Sequence, residues 1–185
     1  MVVNRIEVIS ARPDWVELLI PCTREAAERI QVFISSLDTD VSEELRKMIG
    51  LALRELLFNA VEWGGKLDPK RKVRIAYIRF ERMLLYRICD PGPGFSFKGL
   101  NHAVLSGTAP ERMVEVATVR ESLGIRPGGF GIAMTQTIAD DLIYNQAQNE
   151  VVFIKYLSSP QVEATNTRSE KRMPPANLHQ ARGSG

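Results

Sequence analysis

Polar and apolar residues alternate along Trp15-Val-Glu-Leu-Leu-Ile20, the period-two pattern of a strand with one buried face, and Pro21 ends the run. Arg5 to Ser10 reads as a further edge strand. Thr23 stands where it can cap a helix, and Ala26, Ile30, Phe33, Ile34 and Leu37 then recur at helical spacing, predicting a helix from Thr23 to about Ser36. Asp40-Val-Ser-Glu43 has the form of a capping box, with the Asp40 carboxylate accepting from first-turn N–H groups, and it predicts a long helix from Val41 to about Trp63. Lys72 to Phe80 and Met83 to Asp90 alternate again and flank Glu81-Arg82, so they read as two antiparallel strands joined by a tight turn. Phe95 to Pro127 is of mixed character, with helical pieces such as Pro110 to Val119. From Gly131, the residues Ile132, Thr135, Ile138, Ala139 and Leu142 fall on one helical face, and Asp141–Asn145 and Val151–Leu157 predict a closing hairpin around Ala147-Gln-Asn149. This order predicts a two-layer α/β sandwich, with a mixed, mostly antiparallel sheet covered on one face by helices.

After Leu157 the composition shifts to Ser, Pro, Gln, Asn, Thr and Arg, too poor in large apolar residues to offset ordering entropy. The expectation is therefore one domain over 1–157 and a disordered polar tail over 158–185. The chain has 185 residues and a formal charge of +2; the tail's Arg168, Lys171, Arg172 and Arg182 against Glu163 and Glu170 carry that excess, leaving the body neutral. A neutral body gives no electrostatic case for direct nucleic-acid binding. Two cysteines, Cys22 and Cys89, and two histidines, His102 and His179, are too few and too scattered for a zinc site or a disulfide framework. Charges at Arg5 and Glu7 interrupt any leader-like apolar run, and no apolar stretch approaches the roughly 18 residues of a membrane span, so the chain reads as cytoplasmic.

Chemistry concentrates in three segments. On the long helix, Met48, Ala52, Glu55, Asn59 and Glu62 form one stripe whose first half is apolar and whose second half is polar. Polar groups that continue a core-facing stripe require partners, and a bound cation with its phosphates would supply them. Helix residues of these types are also commonly just solvated, and the stripe alone leaves both readings open. Asp90-Pro-Gly92-Pro-Gly94-Phe95 follows a strand: a carboxylate there can accept from an amino group of a base, and glycines let the backbone approach closely. A rigid surface turn explains the same residues equally well. Gly128-Gly129-Phe130-Gly131 opens a helix, where free N–H groups and the helix dipole attract phosphate, although glycine also serves plain turns. No Walker loop is present and Phe97 breaks the G-x-G-x-x-G pattern, so neither a P-loop nor a Rossmann phosphate site competes.

In this order and spacing, the three segments resemble the N, G1 and G2 boxes of the GHKL (Bergerat-fold) ATPases, over about Trp15 to Leu157. The resemblance is closest to the small serine kinases that act as bacterial anti-sigma factors. It implies ATP and Mg²⁺ as cofactors, with Asn59 as a metal ligand and Glu55 as the catalytic residue that polarises the attacking hydroxyl. It further implies Asp90, with Gly92 and Gly94, at the adenine amino group, and Gly128, Gly129 and Gly131 at the phosphates. The stretch over about 96–127 corresponds to the ATP lid, with Arg126 the candidate for the γ-phosphate and Arg120 and Lys98 as alternatives. By the same resemblance the protein phosphorylates a small anti-anti-sigma (STAS) partner, binds a sigma factor and forms a homodimer. A non-catalytic ATP-dependent partner-binding switch and a histidine-kinase-type catalytic domain are the alternatives, the second lacking a preceding helix with a phospho-accepting histidine. The chain departs from the family at Glu62-Trp63-Gly64, where relatives often have His-Gly, and at Val151-Val152, where many have Thr or Ser near the adenine; Trp63 is expected to pack against the sheet edge.

Overall fold

The computed structural model describes residues 5–95 and 131–157. Its sheet has six strands: β1 (Glu7–Arg12), β2 (Trp15–Pro21), β3 (Lys72–Phe80), β4 (Met83–Cys89), β5 (Asp141–Tyr144) and β6 (Glu150–Tyr156), in the order β1-β2-β3-β4-β6-β5. All neighbouring pairs are antiparallel, so the expected mixed sheet is antiparallel throughout among the described strands. Hairpins and a crossover through helices suffice to connect these strands, and no parallel pairing is needed. The helices are α1 (Arg24–Ser35), α2 (Glu43–Asn59) and α3 (Gly131–Ile138).

Alternation decides which face meets the helices. Val16, Leu18 and Ile20 of β2, Val73, Ile75 and Tyr77 of β3, Leu84, Tyr86 and Ile88 of β4 and Val151 and Phe153 of β6 all point into the core. There they meet Ala27, Ile30 and Ile34 of α1 and Ile49, Leu53, Leu56 and Leu57 of α2. Tyr86 packs edge-on against Phe153, their ring centroids 5.8 Å apart.

Thr23 caps α1 as predicted, its hydroxyl accepting from the Ala26 N–H at 3.2 Å. The cap of α2 differs from the expected capping box: Ser42 accepts from the Leu45 N–H at 3.3 Å and the helix starts at Glu43. Asp40 is drawn away by an ion pair with Arg79 of β3. Two residues earlier, Asp38 is buried in the α1–α2 link and accepts hydrogen bonds from the Tyr77 and Tyr86 hydroxyls, tying that link to β3 and β4.

The helical run also changes character before Trp63. The α-helix ends at Asn59, and Ala60–Gly64 is a π-turn in which the Gly65 N–H donates to the Ala60 carbonyl at 2.8 Å. The chain leaves it through Lys66 and Leu67, both left-handed at φ 55° and 53°.

Candidate functional site

At one end of the sheet, α2, the π-turn, the ends of β4 and β6, the β5–β6 turn and the start of α3 enclose a cavity of about 320 Å³. Glu55, Asn59, Asp90, Gly94 and Gly131 all line it. Residues spread over more than 70 positions of sequence thus converge on one space. Leu56, Ile88, Ile132, Tyr144 and Val151 supply apolar walls, while Trp63, Lys66, Gln148 and Asn149 complete the lining. Gly128, Gly129, Arg126, Arg120, Lys98 and the expected lid lie outside the described residues.

Asp90 follows β4 and is half-buried. Its Oδ1 accepts from the Gly92 N–H at 2.7 Å, and Oδ2 has no hydrogen-bond donor among the described residues. Burial pushes its pKa above the ordinary carboxylate value, while the Gly92 N–H and the nearby Arg71 guanidinium act the other way. Gly64 is pressed so close that a Cβ there would overlap the Asp90 carboxylate, and a Cβ on Gly92 would stand 2.9 Å from the Gly64 Cα. Gly94 is left-handed at φ 86°, and a Cβ on it would run into the Ala147 carbonyl. The turn after β4 is therefore stacked on the β5–β6 turn, and Phe95 meets Tyr144 edge-on at 5.7 Å. Burial pushes the Tyr144 hydroxyl up to about 12.

Also lining the cavity, Glu55 and Asn59 sit one helical turn apart on α2. The Glu55 side chain is only 17% exposed, with Arg54 Nη1 3.6 Å from its Oε1. Gly131 opens α3 directly against it: a Cβ at 131 would strike the Glu55 carboxylate and lie 3.0 Å from Glu55 Cβ and Cγ. Glu62, the last member of the polar stripe, is turned away and pairs with Arg24 of α1 at 2.9 Å. Trp63, expected to pack against the sheet edge, is 41% exposed and lines the cavity.

These residues suit a purine nucleotide. The lone Asp90 oxygen can accept an exocyclic amino group, the absent Cβ atoms of Gly64 and Gly92 leave the carboxylate room, and apolar walls can flank a flat base. The set also fits Mg²⁺: Asn59 offers a hard carbonyl oxygen, and Mg²⁺ typically takes one or two protein oxygens, its remaining ligands being phosphate and water. Among the described residues no group of three His, Cys, Asp or Glu is placed to hold a metal ion.

Several lining residues carry no local sequence signal. Gly64 is the partial exception, since it stands where relatives have the glycine of His-Gly. Tyr144, Gln148 and Asn149 reach the site only through the β5–β6 register, and the valine at the last strand's start, Val151, supplies an apolar wall in place of a hydroxyl.

Residues 17–155 match the family model of the histidine kinase-like ATPase domain, and the chain belongs to that family. Comparison with curated proteins gives no match. The protein is thus an ATP-using domain of the GHKL type, and the α/β sandwich agrees with that assignment. No helix among the described residues is long and apolar enough to cross a membrane.

Proposed function

We propose that the protein is an Mg·ATP-dependent serine kinase of the anti-sigma type. Its substrate is a serine on a small anti-anti-sigma (STAS) regulator; it also binds a sigma factor and works as a homodimer. The observation that carries the kinase reading is the juxtaposition of Glu55 and Asn59, one helical turn apart on α2, in the cavity that Asp90 also lines.

In this reading the adenine amino group donates to Asp90 and the base lies between the apolar walls, which sends the phosphates toward the α2–α3 junction. Asn59 would hold Mg²⁺, which when bound neutralises phosphate charge and orients the terminal phosphoryl group. Glu55 accepts the proton of the incoming serine hydroxyl. The serine oxygen forms its bond to the γ-phosphorus, the bond to the bridging oxygen breaks, and the electron pair leaves with ADP. Gly131 keeps space beside Glu55 that a larger residue would fill.

Glu55→Gln tests the assignment. The amide is near-isosteric but cannot take a proton, and general-base help is typically worth about 10²–10⁴-fold. ATP affinity should stay within about threefold of wild type, while phosphate transfer to the cognate STAS protein drops by that factor. Transfer at the wild-type rate would remove Glu55 as the base. A wild-type protein that transfers no phosphate to any cognate partner, yet binds one only with ATP, would make it a nucleotide switch.

A further inference from the structure

Arg71 lies outside the cavity lining, in the link between the π-turn and β3, yet it reaches the turn that carries Asp90. Its backbone is held at both polar groups: the N–H donates to the Asp68 carbonyl at 3.0 Å, and the carbonyl accepts from the Cys22 N–H at 3.0 Å. From that anchorage Arg71 Nη2 donates to the carbonyl of Pro91, the residue directly after Asp90. Asn149 grips the same turn from the opposite side. Its Nδ2 donates to the Gly92 carbonyl at 3.0 Å, and its own carbonyl accepts from the Asp90 N–H at 2.8 Å. Asn145 in turn orients Asn149 by donating to its Oδ1 at 2.8 Å.

The two clamps are not equivalent, because one of them carries a charge. Burial disfavours the ionised form of Asp90, and Arg71 is the cation that opposes it. The other titratable groups of the packed elements are poorly placed to do so. Cys22, at the end of β2, is a thiol raised to about 11 by burial, and Cys89 of β4 is likewise raised by burial. Glu150 of β6 is a carboxylate engaged by both Nε and Nη2 of Arg87 at 2.8 Å. Glu55 and Lys66 belong to the cavity lining rather than to the turn.

We propose that Arg71 is a positioning residue for nucleotide recognition: it fixes the Pro91 carbonyl, and so the Asp90–Gly92 turn, and keeps Asp90 as the carboxylate that accepts from adenine. The proposal rests on Asp90 as the adenine acceptor. A guanidinium suits the role because it offers several donors and stays charged at all working pH values.

The test is ATP affinity by titration calorimetry between about pH 5 and pH 8, for wild type, Arg71→Gln and Arg71→Lys, each also combined with Asp90→Asn. Gln retains a donor but loses the charge. The pH below which ATP affinity falls should therefore move up by about one unit in Arg71→Gln. Arg71→Lys should return that midpoint toward wild type, with a residual loss of about three- to tenfold near pH 7 from the altered hydrogen bond to Pro91. In the Asp90→Asn background, Arg71→Gln should leave the pH profile unmoved. Superimposable profiles for wild type and Arg71→Gln, or a shift that persists without the Asp90 carboxyl, would overturn the role of Arg71. Equal ATP affinity in wild type and Asp90→Asn would instead overturn the Asp90 assignment and Arg71 with it.

Discussion

Asp90, the proposed adenine acceptor, acts against the stability of its own fold. Its folded-state pKa is raised by burial, so its favourable contribution to folding is complete only at pH below the unfolded carboxylate value of 3.8 and is lost as pH rises through the folded value. At neutral pH the free protein therefore carries a buried charge at a cost. Asn at this position can still accept from the Gly92 N–H but carries no charge. Asp90→Asn should raise the thermal midpoint of the nucleotide-free protein at pH 7, with the difference shrinking as pH falls toward 4 and Asp90 protonates. In the proposed binding mode the same substitution turns a donor toward the adenine amino group, and loss of a charge-assisted hydrogen bond should weaken ATP binding by about ten- to hundredfold. Calorimetric titration and thermal unfolding on one preparation check both directions together. A variant that is less stable and binds equally well would contradict the geometry of Asp90, Gly64 and Gly92.

The elements depend on polar contacts that local pattern does not announce. Asp38 lies between α1 and α2 and takes both the Tyr77 and Tyr86 hydroxyls, whose pKa values are pushed up by burial first and by Asp38 as well. Asp38→Ala would leave two buried phenols without an acceptor, at a cost of about 1–3 kcal/mol each. Urea unfolding should show about 3 kcal/mol lost in total, with the unfolding slope unchanged. A loss under about 1 kcal/mol would mean that water reaches the hydroxyls. Strands β2, β3, β4 and β6 and the helices were legible because each alternation or helical face reports on a single burial direction. Asp40 was misplaced as a cap because its competitor, Arg79, is 39 residues away. The same limit applies at the site. Glu55, Asn59, Asp90, Gly94 and Gly131 could be proposed because their motifs, in this order, resemble those of a known family, whereas Arg71, Tyr144, Gln148 and Asn149 enter only through strand register and turn-to-turn stacking. The π-turn at Ala60–Gly64 has no signature in hydrophobic period, although the Gly64-Gly65 pair ends it.

At the scale of the whole molecule, the helices cover one face of the sheet and leave the other uncovered among the described elements. That second face carries an apolar row: Trp15, Ile78, Leu85 and Ile154 stand side by side in register, bordered on one side by Phe80, Met83 and Tyr156 and on the other by a row that ends in Val152 and Ile143. Trp15, Phe80, Ile143 and Tyr156 are each more than 40% exposed, at 42%, 47%, 55% and 54%. A contiguous apolar patch of this kind marks an interaction surface. Within it Glu17 pairs with Arg74 at 2.5 Å and Arg87 with Glu150 at 2.8 Å, while Arg12 and Asp141 stand exposed on the edge strands at the two ends of the apolar row, so a second copy of the face could stack on its centre with those two charges at the rim. Six strands about 4.8 Å apart and about 23 Å long present roughly 650 Å². Two such faces would bury about 1,300 Å², within the range of specific interfaces and compatible with sheet-on-sheet packing. The proposed homodimer should therefore form through this face. Leu85→Glu places a charge in the middle of the apolar row, on the side of the sheet away from the cavity. Sedimentation at micromolar concentration should show a dimer for wild type and a folded monomer for the variant, with ATP affinity unchanged. A monomeric wild type, or a variant that dimerises as tightly as wild type, would assign the face to something other than a second copy of the chain.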